Sequence, residues 1–564
     1  MRCFRDNDVT RAGRRVPFSS RHLSRRQLLY ATFLGGALTC GPPGWSARNA
    51  TAVEQVAPGT FTVVTNRAPS DLDPHSAYDA GSGVLLQGPF EGLIRLKPGS
   101  TDAYEPVLAE SWQANADKSV WTFQLRNGVT FHDGTPLDAA RAKDSFERLM
   151  TLGLAPANVL GRFLQDGATL STPDARTLII DLGRPQPLFE AALASSYGTA
   201  IVNAAVLKAH EVEGDWGHTW AQTTSEGLGT GPYRITQFDG ETGAILERYE
   251  QYWGGWQDDH FDQITLRIVV EPETRRALID RGDADLATTL PLATVRDLEA
   301  NPDLLVDRRA DLTVRYFAMT IAGPLRSPDA RQALCWAFPY DEVISGVYDG
   351  FAKRAIGPVA ELCQGFAPQT FVYQTDLERA GALLDQAGVS PGTTLSILVP
   401  PGNPELTATV ELFQANLSTI DLALDISAVD FATYVGIFTG DLPAEERPNL
   451  LPSFWSPDYN DGWNHLWPQL SCAAWQSGNG GHYCNEQVED LLEQARTAVD
   501  EDKYLAALGK IQMIVTRDDP AAIYYAQPEW LTVMRRDIAG FTPNLVVGNL
   551  MDFYALRRNE DRDA

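Results

Sequence analysis

The sequence predicts a mixed α/β protein whose lobes are assembled from non-contiguous stretches of chain. Three observations predict it. Alternating strand patterns and helical spacings succeed one another through the whole body of the chain. Residues 395–429 read as strand, helix, strand, the order of a βαβ unit, which implies a partly parallel sheet. No repeat and no low-complexity linker divides the 564 residues, although that length allows up to about four compact units. With 44% hydrophobic and 21% charged residues, the chain buries a sizeable core and is not disordered.

The first fifty residues are a different material. They hold nine Arg, no Lys and two Asp, and removing them leaves 37 basic against 71 acidic residues, a net of −34. Ser24-Arg25-Arg26-Gln27-Leu28-Leu29 opens an apolar run from Leu28 to Cys40, too short to span a bilayer, which needs about 20 residues. A basic region followed by a short apolar stretch is an export signal, and the paired arginines make residues 1–50 look like a twin-arginine signal. Gly44-Trp45-Ser46-Ala47 is a poor small-x-small cleavage site. Ala37-Leu38-Thr39-Cys40 resembles a lipoprotein box, with Thr39 departing from the small residue expected before the cysteine. Soluble release outside the cytoplasm is the reading, and a lipid anchor at Cys40 is the alternative.

The body follows element by element. Gly59 to Thr65 alternates as a strand, and Ser70-Asp71-Leu72-Asp73-Pro74-His75 is a turn. Val120 to Arg126 alternates β-branched and aromatic residues as a strand. Asn127-Gly128 and Asp133-Gly134 then supply hairpin chemistry, so Val129-Thr130-Phe131 is expected to pair back on it. Ala139 to Met150 has helical spacing. Strands are expected at Ala244–Arg248, Gln263–Val270 and Asp285–Ala287, with a helix at Glu273–Arg281 between the last two. Asp376–Ala387 is a helix stopped by Gly388, since glycine takes the left-handed conformation that ends a helix. Strand Leu395–Val399, helix Pro404–Leu417 and strand Ala423–Val429 form the βαβ order, and Val488–Val499 and Lys503–Thr516 are long helices.

Charge and motifs exclude several classes. A body this acidic argues against nucleic acid as a ligand, because phosphate binding needs a basic surface. Gly227-Leu228-Gly229-Thr230-Gly231 lacks the Lys-Ser/Thr of a phosphate loop, and no Gly-x-Ser-x-Gly elbow occurs. His210, Glu211, Glu213, Asp215 and His218 lack the i, i+4 histidine pair of a zinc helix and read as a solvated loop. No metal and no cofactor is expected. Thirteen Trp, 18 Tyr and 23 Phe suggest that some rings line a cavity. In an oxidising compartment the four body cysteines read as bridges. Cys472 and Cys484 flank a glycine-rich loop able to fold back and close one, with free thiols or a metal site using His482 as the alternatives. The pair Cys335–Cys363 then follows by elimination.

Five blocks, in order, resemble the extracellular solute-binding proteins of the dipeptide/oligopeptide/nickel ABC-importer family, over roughly residues 60–556. The longest runs from Leu108-Ala109-Glu110-Ser111-Trp112 through Trp121-Thr122-Phe123 and His132-Asp133-Gly134 to Ser145-Phe146-Glu147-Arg148. The others are Gly229-Thr230-Gly231-Pro232-Tyr233-Arg234 with Tyr252-Trp253-Gly254-Gly255; Gly282-Asp283-Ala284-Asp285; Asp329-Ala330-Arg331-Gln332-Ala333-Leu334; and Asp376-Leu377-Glu378-Arg379-Ala380. These residues read as scaffold: Trp112 and Trp121 pack, and His132 orients a turn. The resemblance implies a two-lobed periplasmic-binding-protein-like fold with a hinge and an extra N-terminal subdomain. Lobe I then comprises 58–88, 226–312 and 536–560, its extra subdomain 89–225, and lobe II 313–535, with Val314 to Met319 running through the hinge.

The resemblance also implies a site. Phe454-Trp455-Ser456-Pro457-Asp458-Tyr459-Asn460-Asp461 is similar to the family's aromatic-x-x-Asp segment, whose aspartate faces a ligand's α-ammonium. Asp458 is therefore the expected ligand contact, with Asp461 as its substitute if the register slips. Tyr459, Trp455 and Trp463 are expected as flat walls. Cys472 and Cys484 sit where dipeptide-binding members close a loop with a disulfide. No arginine matches a family motif for a ligand carboxylate. The function implied is a monomeric receptor that closes on a peptide or similar amine-bearing solute and delivers it to the permease subunits of an ABC importer. Nickel complexes, opines and sugars are the other cargoes, and an exported peptide hydrolase is the competing class, for which no nucleophile–base pair is found.

Overall fold

The computed structural model describes residues 59–559 except 165–166, 476–477, 543 and 548–549. The export signal and Cys40 lie outside the described residues.

One strand organises the architecture. Ala522–Arg535 is 14 residues long, and different stretches of it pair with different partners. Its first residues run antiparallel to Val314–Met319 and Ala352–Arg354, and its last to Leu304–Ala310 and Leu286–Thr288. Beyond Val314–Met319 the sheet continues through Leu450–Trp455, Thr394–Val399 and Ala423–Ala428. Beyond Leu286–Thr288 it continues through Thr60–Thr65, Gln263–Ile268, Gly243–Arg248 and Tyr233–Asp239, giving twelve strands in all. The chain passes from one half to the other at Asp311-Leu312-Thr313, between two strands that both pair with the long one.

The local expectations are largely met. Thr394–Val399 and Ala423–Ala428 are parallel, joined by helix Pro404–Thr419, whose N-terminus is capped by the Asn403 side chain and opened by Pro404. Helix Leu377–Ala387 ends on Gly388 at φ 72°. The hairpin at Asn127-Gly128 does not form. Val120–Leu125 instead pairs with Ala109–Ala114 on one side and Thr177–Asp181 on the other, within a separate four-stranded sheet. Trp121, Phe123 and Leu125 bury one face of that strand, and a five-residue partner covers it better than Val129-Thr130-Phe131. The latter turns on itself, with the Phe131 amide donating to the Thr135 carbonyl at 2.8 Å.

Buried polar contacts tie this extra sheet to the main one. Glu91 accepts hydrogen bonds from the Thr230 hydroxyl (2.8 Å), the Tyr252 hydroxyl (2.9 Å) and the Trp253 indole N–H (3.0 Å), so two of the resembling motifs meet on one carboxyl. A Cβ on Gly229 or Gly231 would overlap the Pro89 or Gly88 carbonyl, which is why glycines flank Thr230. His132 donates to the Gly231 carbonyl at 2.9 Å, the orienting role its turn suggested. The fully buried pair Asp73–Arg148 joins the turn after the first strand to helix Ala139–Leu152. His218 sits on Asp73 at 3.1 Å, and His210 stacks on Trp220 at 4.0 Å.

Cys472 and Cys484 are bonded, with an S–S distance of 2.05 Å. Cys335 and Cys363 are not: both are buried free thiols. They belong to different hydrophobic clusters, Cys335 with Phe317 and Phe338, Cys363 with Val359 and Tyr504, and each packs as a small apolar side chain. Elimination fails here because an even number of cysteines does not bring two sulfurs together.

Candidate functional site

Asp458 lies in the loop between strand Leu450–Trp455 and helix Gly462–Leu470. Asn464, in the first turn of that helix, fixes the loop: its side-chain oxygen accepts from the Asp458 amide at 2.7 Å and its amide donates to the Asp458 carboxylate at 3.4 Å. The other carboxylate oxygen accepts from the Tyr78 hydroxyl, which arrives from the far half of the sheet, just ahead of helix Ala80–Leu86. Tyr78 in turn packs edge-on against Tyr197, with ring centroids 5.0 Å apart.

The two halves touch at further places among the described residues. Arg162 lies 3.6 Å over the Trp467 ring, the Asn460 amide donates to the Thr101 carbonyl at 2.5 Å, and Arg496 donates to the Gln186 side chain at 3.1 Å. Tyr78 nonetheless keeps 41% of its surface accessible, and a gap of about 10 Å³ opens beside Asp458. Burial here pushes the Asp458 carboxyl above its usual range, while the Tyr78 and Asn464 hydrogen bonds and the Arg162 charge pull the other way.

Two guanidiniums stand nearer the crossover. Arg67 follows strand Thr60–Thr65 and lies 5.7 Å from the Trp530 ring, and Arg315 lies 4.8 Å from the Phe454 ring. Burial and the Arg315 charge hold Arg67 below its ordinary pKa. The Arg315 Nε and the indole N–H groups of Trp455 and Trp530 are buried donors with no acceptor among the described residues. Such donors cost free energy unless something accepts from them, and a bound anionic group would do so. Burial raises the Asp311 carboxyl beside them.

Of the residues expected from the sequence, Asp458 and Tyr459 line that gap, and Trp455 is half-buried. Trp463 and Asp461 do not, at 1% and 2% exposure. The Trp463 indole donates to the Leu492 carbonyl at 3.0 Å inside the core. Asp461 caps helix Gly462–Leu470 through the Trp463 amide at 2.7 Å and accepts from the Tyr504 hydroxyl; burial raises it to about 7. Both help to build the helix that carries Asn464. Tyr459 is also buried, its ring 6.5 Å from Phe163 across the join. Arg67, Arg315, Tyr78 and Trp530 were not singled out, since each sits outside any motif and reaches the cleft only through folding. His482 stacks on Trp475 at 4.6 Å, and among the described residues no three His, Cys, Asp or Glu side chains gather as metal ligands.

Asp458 and Tyr78 meet where the two halves of one sheet come together. The chain belongs to the bacterial extracellular solute-binding proteins, family 5, whose middle region matches residues 103–477. It is 28% identical over 506 residues to the probable D,D-dipeptide-binding periplasmic protein DdpA of Escherichia coli K12, covering 88% of this chain and 94% of that one. It is 29% identical over 521 residues to di/tripeptide-binding protein 2 of Pseudomonas aeruginosa UCBPP-PA14, covering 87% and 94%. Its fold matches that of the periplasmic binding protein DppA of Helicobacter pylori in complex with the peptide STSA, with a TM-score of 0.77 at 24% identity over 89% and 98% of the two chains. The fold is the two-lobed one. Among the described residues no helix is long and apolar enough to cross a membrane.

Proposed function

We propose that this protein captures a peptide or similar amine-bearing solute outside the cytoplasm and delivers it, unaltered, to the permease subunits of an ABC importer. One observation carries the reading: Asp458, half-buried on one half of the molecule, is met by Tyr78 from the other. Asp458 takes the solute's ammonium by a charge-assisted hydrogen bond. Arg67 and Arg315, with the unpartnered Trp530 N–H, take its anionic end, and the Phe454 and Trp455 rings flank it. Contacts from both lobes favour the closed state over the open one, and the importer reads the closed shape.

Lobe I comprises 58–88, 226–312 and 536–560, its subdomain 89–225 and lobe II 313–535. Residues 1–50 direct export, and the protein acts as a monomer. Incubation with defined peptide pools tests the reading. A thermal shift, micromolar or tighter binding (about −8 kcal/mol or better), unchanged peptide masses and a more compact scattering profile are expected. Released amino acids, or superimposable profiles with and without a bound peptide, refute it.

A further inference from the structure

Besides the contact at Asp458, the two halves meet along a drier seam. Arg162 follows the short helix Ala157–Gly161, in the region that carries the separate four-stranded sheet. Its guanidinium lies 3.6 Å over the Trp467 ring and 5.7 Å from the Trp463 ring, both on helix Gly462–Leu470 of the other half. The two indoles are themselves stacked, with centroids 5.9 Å apart. Beside them Phe163, 2% exposed, faces Tyr459, 4% exposed. Leu160, Phe163 and Phe189 from one half and Tyr459, Trp463 and Leu466 from the other belong to a single hydrophobic cluster. At the Asp458 contact, by contrast, Tyr78 is open to solvent.

Arg162 is held there by ring faces rather than by a counter-charge. Among the described residues it makes no ion pair; Asp458 is near enough to act on its charge without bonding to it. Burial lowers its pKa, the sign of a guanidinium that has given up part of its water. A cation over an aromatic face is attracted by the ring, and more strongly where water is excluded. Parting the lobes would strip the ring from the guanidinium and wet Phe163 and Tyr459. Every one of these contacts is made by protein groups alone, so what the seam adds to closure is the same whatever the cleft holds.

We propose that Arg162 and Trp467 form a latch that favours the closed arrangement of the lobes independently of cargo, scaling the affinity for every cargo by one factor without selecting among them. The proposal rests on the hinge closure given above and adds what sets its equilibrium. The latch raises the closed fraction of the unloaded receptor, and apparent affinity follows the fraction that is competent to bind. Cargo shifts the remainder. Arg162 and Trp467 are thus positioning residues, acting through the lobes and not on the solute.

Small-angle scattering of the cargo-free protein tests it first, because that comparison needs no ligand. Trp467→Leu removes the ring and leaves the Arg162 charge in place near Asp458. Its cargo-free radius of gyration is expected to exceed the parent's. In calorimetric titrations with Ala-Ala and Ala-Ala-Ala, both affinities are expected to fall by the same factor, about fivefold (about 1 kcal/mol). Arg162→Gln, read by cargo-free scattering alone, serves if Trp467→Leu does not melt cooperatively. The double variant is expected to be no more open than either single one, since the two residues act through each other. Superimposable cargo-free profiles of parent and variants overturn the latch and leave the reading of Asp458 intact. Affinities that change by different factors for the two peptides also overturn it, because the ring then touches cargo. Failure of both peptides to bind the parent overturns the reading of Asp458, while the cargo-free profiles still decide the latch.

Discussion

Replacing Asp458 by Asn keeps the shape of the cleft and removes the charge, so it isolates the electrostatic part of recognition. In the free protein one Asp458 oxygen is occupied by the Tyr78 hydroxyl. A solute ammonium that takes this place replaces an uncharged donor by a charged one on the same carboxylate, and the added ion-pair attraction at a partly screened site is about 1–2 kcal/mol. The net, about 1–2 kcal/mol, is roughly a 5- to 30-fold loss of affinity in Asp458→Asn at 1.4 kcal/mol per tenfold. Tyr78→Phe is the complementary change. It removes the competitor, leaves the carboxylate short of a donor in the free state, and is expected to tighten binding about fivefold. Acid should act in the same sense as Asp458→Asn. Burial raises the Asp458 pKa, so affinity for an amine falls as pH drops into a range above that of an ordinary carboxylate, and the Asn variant loses this dependence. Titration calorimetry with Ala-Ala measures all three. Affinities of Asp458→Asn and parent within twofold of each other refute the assignment, and so does weakened binding in Tyr78→Phe.

Three further outcomes follow from the buried groups. Asp461 is raised to about 7 against an unfolded value of about 3.9. Its folded form therefore holds a proton that the unfolded chain has released, and its contribution to stability is lost as pH rises from about 4 to about 7. Melting temperatures across that window should be flatter in Asp461→Asn than in the parent. Asp73→Ala strands the fully buried Arg148 charge, a loss of about 3–5 kcal/mol. With about 500 residues unfolding together the melting temperature should fall by roughly 3–5 °C, and an unchanged transition would contradict the pairing. Alkylation followed by peptide mapping should label Cys335 and Cys363 only in denaturant, and Cys472 and Cys484 only after reduction.

The local elements were legible in the sequence because local physics fixes them. Asn403-Pro404 opens a helix, Gly388 closes one, and alternating Val, Ile and Leu make the parallel pair around the helix Pro404–Thr419. The family resemblance was legible for the same reason: its blocks are turns and packed aromatic residues whose roles depend on near neighbours. Asp458 came with it.

Partners far apart in the chain were not legible. Nothing local marks Thr60–Thr65 as lying parallel to Gln263–Ile268, or Ala522–Arg535 as the strand that both halves share. The same limit holds around Asp458. Asp461 and Trp463 stand three and five positions from Asp458, and only the turn of helix Gly462–Leu470 shows that they face inward while Asp458 faces the cleft. Likewise the sequence counts four body cysteines but cannot place Cys335 and Cys363 in separate cores. Short-range spacing determined which elements form, and the five resembling blocks pointed to the family. The tertiary structure alone decided that Tyr78 and Arg67 confront Asp458 and Arg315, because burial of apolar surface acts without regard to distance along the chain.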